Sequence, residues 1–226
     1  ANSPLFSPYR TVGSVHDAVS VLGFNQIRSL VTIAALANAF KGALVPHLEA
    51  FWQYSLNTAI VAKTLARAFN IAESLAFTMG LVHAIGELVL YLEAPDSMDQ
   101  LKSVEFIAFE RMSAEKHVFG YSYVDVSAAF IERWDFPESI VRALQACAEQ
   151  NTGSHLGPVY HENTRAWVLH LAMWRARCQM QGLTKQAVLD SFAMHAVHAL
   201  GMSPQDVLDK DPKEWTTTKQ AVQWMM

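Results

Sequence analysis

Apolar residues recur along this chain at spacings of three and four, and nowhere alternate for long. That periodicity predicts helices almost throughout. Residues 1–13 read as an opening loop broken by Pro4, Pro8 and Gly13. Ser14 opens a short helix, with Asp17 beside the exposed first-turn amides and Gly23 ending it in a left-handed conformation. Asn25 is placed to cap the next helix, whose Ile27, Leu30, Val31, Ala34 and Phe40 share a face, and Gly42 and Pro46 break the chain. A long helix is expected over 48–69, with Phe51, Ser55, Thr58, Ala59, Ala62, Leu65, Ala66 and Phe69 on one face. The small residues there permit close helix packing. The next, over 72–92, is apolar nearly all round and is expected to be central and buried, with Pro95 beyond its end. Further helices are predicted over 101–119, 122–134, from Pro137 to 150, 164–181 and 184–200. Ser203-Pro204 opens a short one and the tail from Trp215 is helical. The expected fold is all-α, with residues 1–226 as one packed unit. Residues 1–150 form its core, and 151–226 add C-terminal helices beyond a polar loop at 151–158.

Composition narrows the classes. Hydrophobic residues make up 51% and charged residues 17% of 226 residues, which supports a sizeable core and excludes a disordered chain. The 17 Lys and Arg residues are scattered and the net charge is −4, so nucleic acid is disfavoured as a partner. The uncharged runs at 29–40 and 74–86 fall short of the roughly 18–20 apolar residues of a membrane span, so no membrane partner is expected. Cys147 and Cys178 form neither a CxxC motif nor a disulfide framework; both are expected to be buried thiols in a cytoplasmic protein.

Several catalytic motifs fail on inspection. His161-Glu162-Asn163-Thr164-Arg165 begins like a zinc-protease motif, but Arg165 stands where the second His must share the metal. Gly120-Tyr121-Ser122-Tyr123-Val124 lacks the last glycine of a nucleophile elbow and the strand before it. No phosphate-binding glycine loop is present. His195 and His198, at i,i+3, are read as packing residues rather than metal ligands. Of six tryptophans, Trp52 and Trp134 are expected in the core, and Trp215 and Trp224 on the body or at a partner surface.

The informative stretch is Gly80-Leu81-Val82-His83-Ala84-Ile85-Gly86-Glu87-Leu88-Val89-Leu90. It resembles the central helix of the HD superfamily, G-L-L-H-D-I-G-K-L-V-L. The remainder resembles the HDOD branch: Ala1-Asn2-Ser3 with Phe6, the segment from Val15 to Leu30, Phe51-Trp52-Gln53-Tyr54-Ser55, and Phe119-Gly120 through Glu132-Arg133-Trp134-Asp135-Phe136-Pro137-Glu138. The match spans most of 1–150. It implies a compact multi-helix HD-like bundle. The family has further helices before the A-N-S turn, so this chain is expected to lack its N-terminal helices.

HD phosphohydrolases gather His and Asp ligands from several helices around a divalent metal, which acidifies a bound water and stabilises phosphoryl charge. Position by position, the resemblance leaves few of them. His83 remains; its partner Asp is Ala84; Tyr54 and Tyr123 replace histidines; Ser122 replaces an Asp; Ala146 and Cys147 stand where a His-His pair is frequent; Glu87 replaces a lysine. One imidazole cannot hold a catalytic metal. The expectation is therefore no catalytic residue, no metal and no cofactor. His83 is expected to be buried and hydrogen-bonded, with Tyr54 and Tyr123 filling the old cavity around it. The resemblance implies a bacterial signal-transduction output domain acting through a protein partner. A small-molecule or nucleotide sensor using the vestigial pocket is the alternative, and a divergent phosphohydrolase drawing on Glu87, His117 or Asp125 is the third reading. A second copy of the chain is also open as a partner.

Overall fold

The computed structural model describes residues 11–39, 41–102, 109–149, 161–192, 199–212, 215 and 222, and all regular structure among them is helical. The loop at 151–158, His195, His198 and Trp224 lie outside the described residues.

Helix α1 (Val15–Leu22) starts as its sequence predicts: Ser14 Oγ accepts the Asp17 amide at 3.0 Å, and Gly23 ends it at φ 82°. Helix α2 (Phe24–Ala39) begins one residue before Asn25, so Asn25 is not its cap. Helix α3 (Lys41–Ala66) carries Gly42 and Pro46 inside its first turns instead of beginning after them. One missing amide costs the helix one bond, and the buried face that follows outweighs it. Phe51, Ser55, Thr58, Ala59, Ala62, Leu65 and Ala66 are all buried, as the spacing predicts. A 3-10 turn (Arg67–Phe69) leads to α4 (Glu73–Val82) and α5 (Ile85–Glu93).

The expected continuous helix over 72–92 is thus two helices, and the break falls at His83-Ala84. Ala84 adopts φ −101°, ψ 6°, outside the helical well. Its cause lies in α8 (Tyr123–Arg133): Ser127 Oγ sits 2.6 Å from the His83 carbonyl and 2.8 Å from the Tyr123 carbonyl. It also accepts the Gly86 amide at 2.8 Å. A side chain from a neighbouring helix thus satisfies backbone groups freed by the break. The whole stretch Glu73–Glu93 has the length and hydropathy of a membrane span, but 83% of its most apolar window is buried inside the bundle, as befits a core.

Pro95 opens α6 (Pro95–Lys102), which the periodicity did not reveal. Helix α7 (Phe109–Phe119) precedes α8, whose Ser122 and Asp125 form a capping box. Then come α9 (Glu138–Glu149), α10 (His161–Met180), α11 (Lys185–Asp190) and α12 (Pro204–Leu208), the last with a second capping box from Ser203 and Asp206. Helix α3 packs on α4, α5 and α10; α10 also lies on α4 and α9, and α8 on α5 and α9. Trp52 is in the core, but Trp134 is 43% exposed. Trp134 caps the C-terminal end of α8 and stacks on Phe130 at 5.3 Å, at the rim rather than inside.

Candidate functional site

Close approach of backbones sets the site. A Cβ on Gly80 would lie 2.5 Å from Ala59 Cα, and one on Gly86 would lie 2.1 Å from the Tyr123 carbonyl oxygen. Only glycine lets α4 sit this close to α3, and α5 to α8. These contacts bring Tyr54 of α3, His83 of the α4–α5 break and Tyr123 of α8 into one buried cluster. The two tyrosine hydroxyls are 3.0 Å apart and hydrogen-bonded. The His83 ring packs edge-on against Tyr54 at 4.7 Å and Tyr123 at 6.1 Å. The three positions that the motif comparison singled out do meet.

His83 Nδ1 lies 2.7 Å from the Gly80 carbonyl, so Nδ1 carries the proton and donates. Nε2 then bears a lone pair and has no hydrogen-bond partner among the described residues. Burial holds the imidazole down at about 4, against the opposing pull of the Gly80 carbonyl, so it is neutral. Burial likewise raises both tyrosines and keeps them protonated.

The sequence reading missed what surrounds this trio. Arg177, reaching in from α10, places its guanidinium 3.6 Å from the centre of the Tyr54 ring and donates to Glu87 Oε1 at 2.6 Å. Its side chain is only 17% exposed and that of Glu87 only 8%. Arg111 of α7 lies 3.6 Å from the same Glu87 oxygen, and 2.9 Å from Glu115 Oε1. Glu115, wholly buried, accepts the Tyr123 amide through its other oxygen at 2.7 Å. Two guanidiniums and two carboxylates therefore balance. Burial pushes the Glu87 carboxyl up, but Arg111 and Arg177 outweigh it and leave Glu87 below the usual range. At Glu115, burial prevails over Arg111 and the carboxyl is raised. Arg111 and Glu115, four apart on one helix, were legible as a pair, but nothing local in α10 marks Arg177 as a partner of Glu87.

Of the other singled-out positions, Ala84 follows His83 at the break, is buried and offers no donor. Ala146 is partly buried against the core. Cys147 is a buried free thiol whose Sγ lies 3.8 Å from Met173 Sδ, and whose carbonyl lies 2.8 Å from His170 Nε2. Burial raises its pKa strongly, so it is no ready nucleophile. Cys178 is also a buried free thiol. His117 is exposed on α7, away from the buried His83. Asp125 spends its carboxylate on the Ser122 amide and hydroxyl at 2.7 and 2.6 Å.

The donors present do not fit a divalent metal. Around His83 stand two protonated tyrosines, a guanidinium and one carboxylate, Glu87, already engaged by that guanidinium, and a fixed cation repels a second one. No group of three His, Cys, Asp or Glu residues suited to a metal occurs among the described residues.

A family model for the HDOD domain matches residues 1–150. Among solved structures, an HDOD domain protein of unknown function from Geobacter sulfurreducens superposes with a TM-score of 0.69, at 21% identity over 100% of this chain and 79% of that one. A protein from Shewanella amazonensis, provisionally named a phosphohydrolase, gives 0.67 at 22% identity over 95% of this chain and 78% of that one. The MmoQ response regulator from Methylococcus capsulatus gives 0.53 at 22% identity, over 94% and 81%. At such identities the likeness concerns the fold. No curated protein matches the chain.

Proposed function

This chain belongs to the HDOD domain family, and from that premise we propose that it is a non-catalytic signal-transduction output domain acting through protein contacts. Its fold is that of a metal phosphohydrolase, and the metal's place has been taken by the chain's own guanidinium. The observation that carries this reading is Arg177: a largely buried cation, 2.6 Å from Glu87 and 3.6 Å from the Tyr54 ring centre, among the positions from which HD ligands converge. A metal neutralises carboxylates and attracts oxygen donors; here Arg177 and Arg111 do the first, and the tyrosines hydrogen-bond to each other. Nothing in this arrangement activates a water. The neutral His83 is held by a carbonyl, and among the described residues no second imidazole faces it.

Phe24, Tyr121 and Trp134 leave large apolar side chains exposed, and aromatic side chains of this kind are enriched where a protein partner docks. A ligand in the vestigial cavity would have to displace Arg177 and break the Tyr54–Tyr123 hydrogen bond, so the packing weighs against a sensor built on that pocket.

A phosphodiester assay tests the reading. With bis(p-nitrophenyl) phosphate and added Mn²⁺, Mg²⁺ or Zn²⁺, purified protein is expected to release nitrophenol no faster than buffer. Turnover proportional to protein and abolished by His83→Ala would overturn it.

A further inference from the structure

A cleft of about 310 Å³ opens between α3, the start of α4 and the residues after α12, away from the Arg177 cluster. Its floor is apolar, from Ile60 and Phe77, both almost fully buried. Its walls carry Lys63, Arg67 and Lys210 and, among the described residues, one carboxylate, Glu73. Glu73 is already engaged: its Oε1 accepts Arg67 Nε at 2.5 Å. Neither Lys63 nor Lys210 has a side-chain hydrogen bond or ion pair among the described residues, although Glu73 lies in the field of Lys63 and Asp206 in that of Lys210. In a chain of net charge −4, two uncommitted ammonium groups and the outer face of a guanidinium thus converge on one concavity.

We infer that this cleft binds a phosphate-monoester ligand of about mononucleotide size, held by Lys63, Arg67 and Lys210. The charge inside it, three cations less one carboxylate, is matched by a monoester phosphate, which carries about two negative charges at neutral pH. The volume sits at the lower end of ligand pockets, which run from about 300 to 1,000 Å³, and suits a single nucleotide-sized molecule. The apolar floor would take the flat part of such a ligand while the rim takes its phosphate. Lys63 comes from α3, Arg67 from the 3-10 turn after it and Lys210 from the segment after α12, so an occupant ties these together. The inference does not depend on the vestigial site being inactive.

Isothermal titration at fixed ionic strength tests it, with AMP, inorganic phosphate and adenosine as probes. AMP is expected to bind saturably, phosphate more weakly and adenosine not at all. The Lys63→Met/Lys210→Met variant keeps the aliphatic stems and removes the charges. It is expected to lose about tenfold or more in AMP affinity, with an unchanged circular dichroism spectrum, while Lys185→Met, on exposed α11, binds as the parent does. No saturable binding of AMP at millimolar concentration, equal affinity in the double variant, or adenosine binding as well as AMP would each overturn the assignment.

Discussion

Arg177 is the residue on which the site turns. Its guanidinium neutralises Glu87 inside the bundle, so Arg177→Met leaves that carboxylate with only the more distant Arg111. Breaking a buried pair from one side costs about 3–5 kcal/mol; because Arg111 remains and Arg177 keeps some exposure, the expected loss is about 3 kcal/mol, read from urea unfolding. A loss below about 0.5 kcal/mol, the size typical of surface substitutions, would show that the cation is not structurally required. The imidazoles give a pH signature. Burial holds both His83 and His170 at about 4, below the 6.5 of an unfolded histidine. Between these values the unfolded chain binds more protons than the folded one, so stability is complete above pH 6.5 and falls on acidification towards 4. Each histidine contributes up to about 1.4 kcal/mol per pH unit in that window. The raised carboxyl of Glu115 works in the opposite direction, so the difference between variants is the clean readout. His83→Asn is expected to remove one proton's worth of slope between pH 4.5 and 6.5 in urea titrations, and an unchanged slope would contradict the burial of a neutral imidazole.

At the scale of elements, the α4–α5 break positions His83. Ser127→Ala removes the hydroxyl that serves the Gly86 amide and the His83 and Tyr123 carbonyls. Leaving buried backbone groups unpaired costs about 1–3 kcal/mol, and the same range is expected in the melting of that variant. Gly86→Ala is expected to be worse. Its methyl would collide with the Tyr123 carbonyl oxygen, which belongs to backbone and cannot rotate away. Failure to fold, or a loss above about 3 kcal/mol, is the expected outcome, overpacking alone costing about 1–3 kcal/mol; a neutral effect would mean that α5 and α8 are further apart. These elements also show how far the sequence could be read. Ser14, Ser122 and Ser203 announced three helix starts through their own local chemistry, and the meeting of Tyr54, His83 and Tyr123 followed from motif order. The break at Ala84 did not, because its cause is a hydroxyl 43 residues further along, on another helix. Proline misled in both directions: Pro46 sits inside α3, and Pro95 starts α6 rather than merely following α5.

For the molecule as a whole, the decisive contact crosses its length. Arg177 lies on α10, beyond the residues matched by the family model, yet it supplies the cation at the centre of the matched part. Spacing within a helix could not pair residues 87 and 177. The motif comparison could report only which donors were missing, and left the cavity to be filled by tyrosines alone. Helix α10 therefore does more than pack on α3 and α9: its charge completes a site in which Arg111 alone would face two carboxylates, Glu87 and Glu115. If that is how the bundle balances its charge, it has no place for a metal ion. Elemental analysis of protein purified without added metal or chelator tests this most directly, since a transition-metal site normally keeps its ion. Fewer than about 0.1 ions of zinc, iron, manganese, nickel and magnesium together per chain is the predicted result; about one ion per chain, lost in His83→Ala, would contradict it.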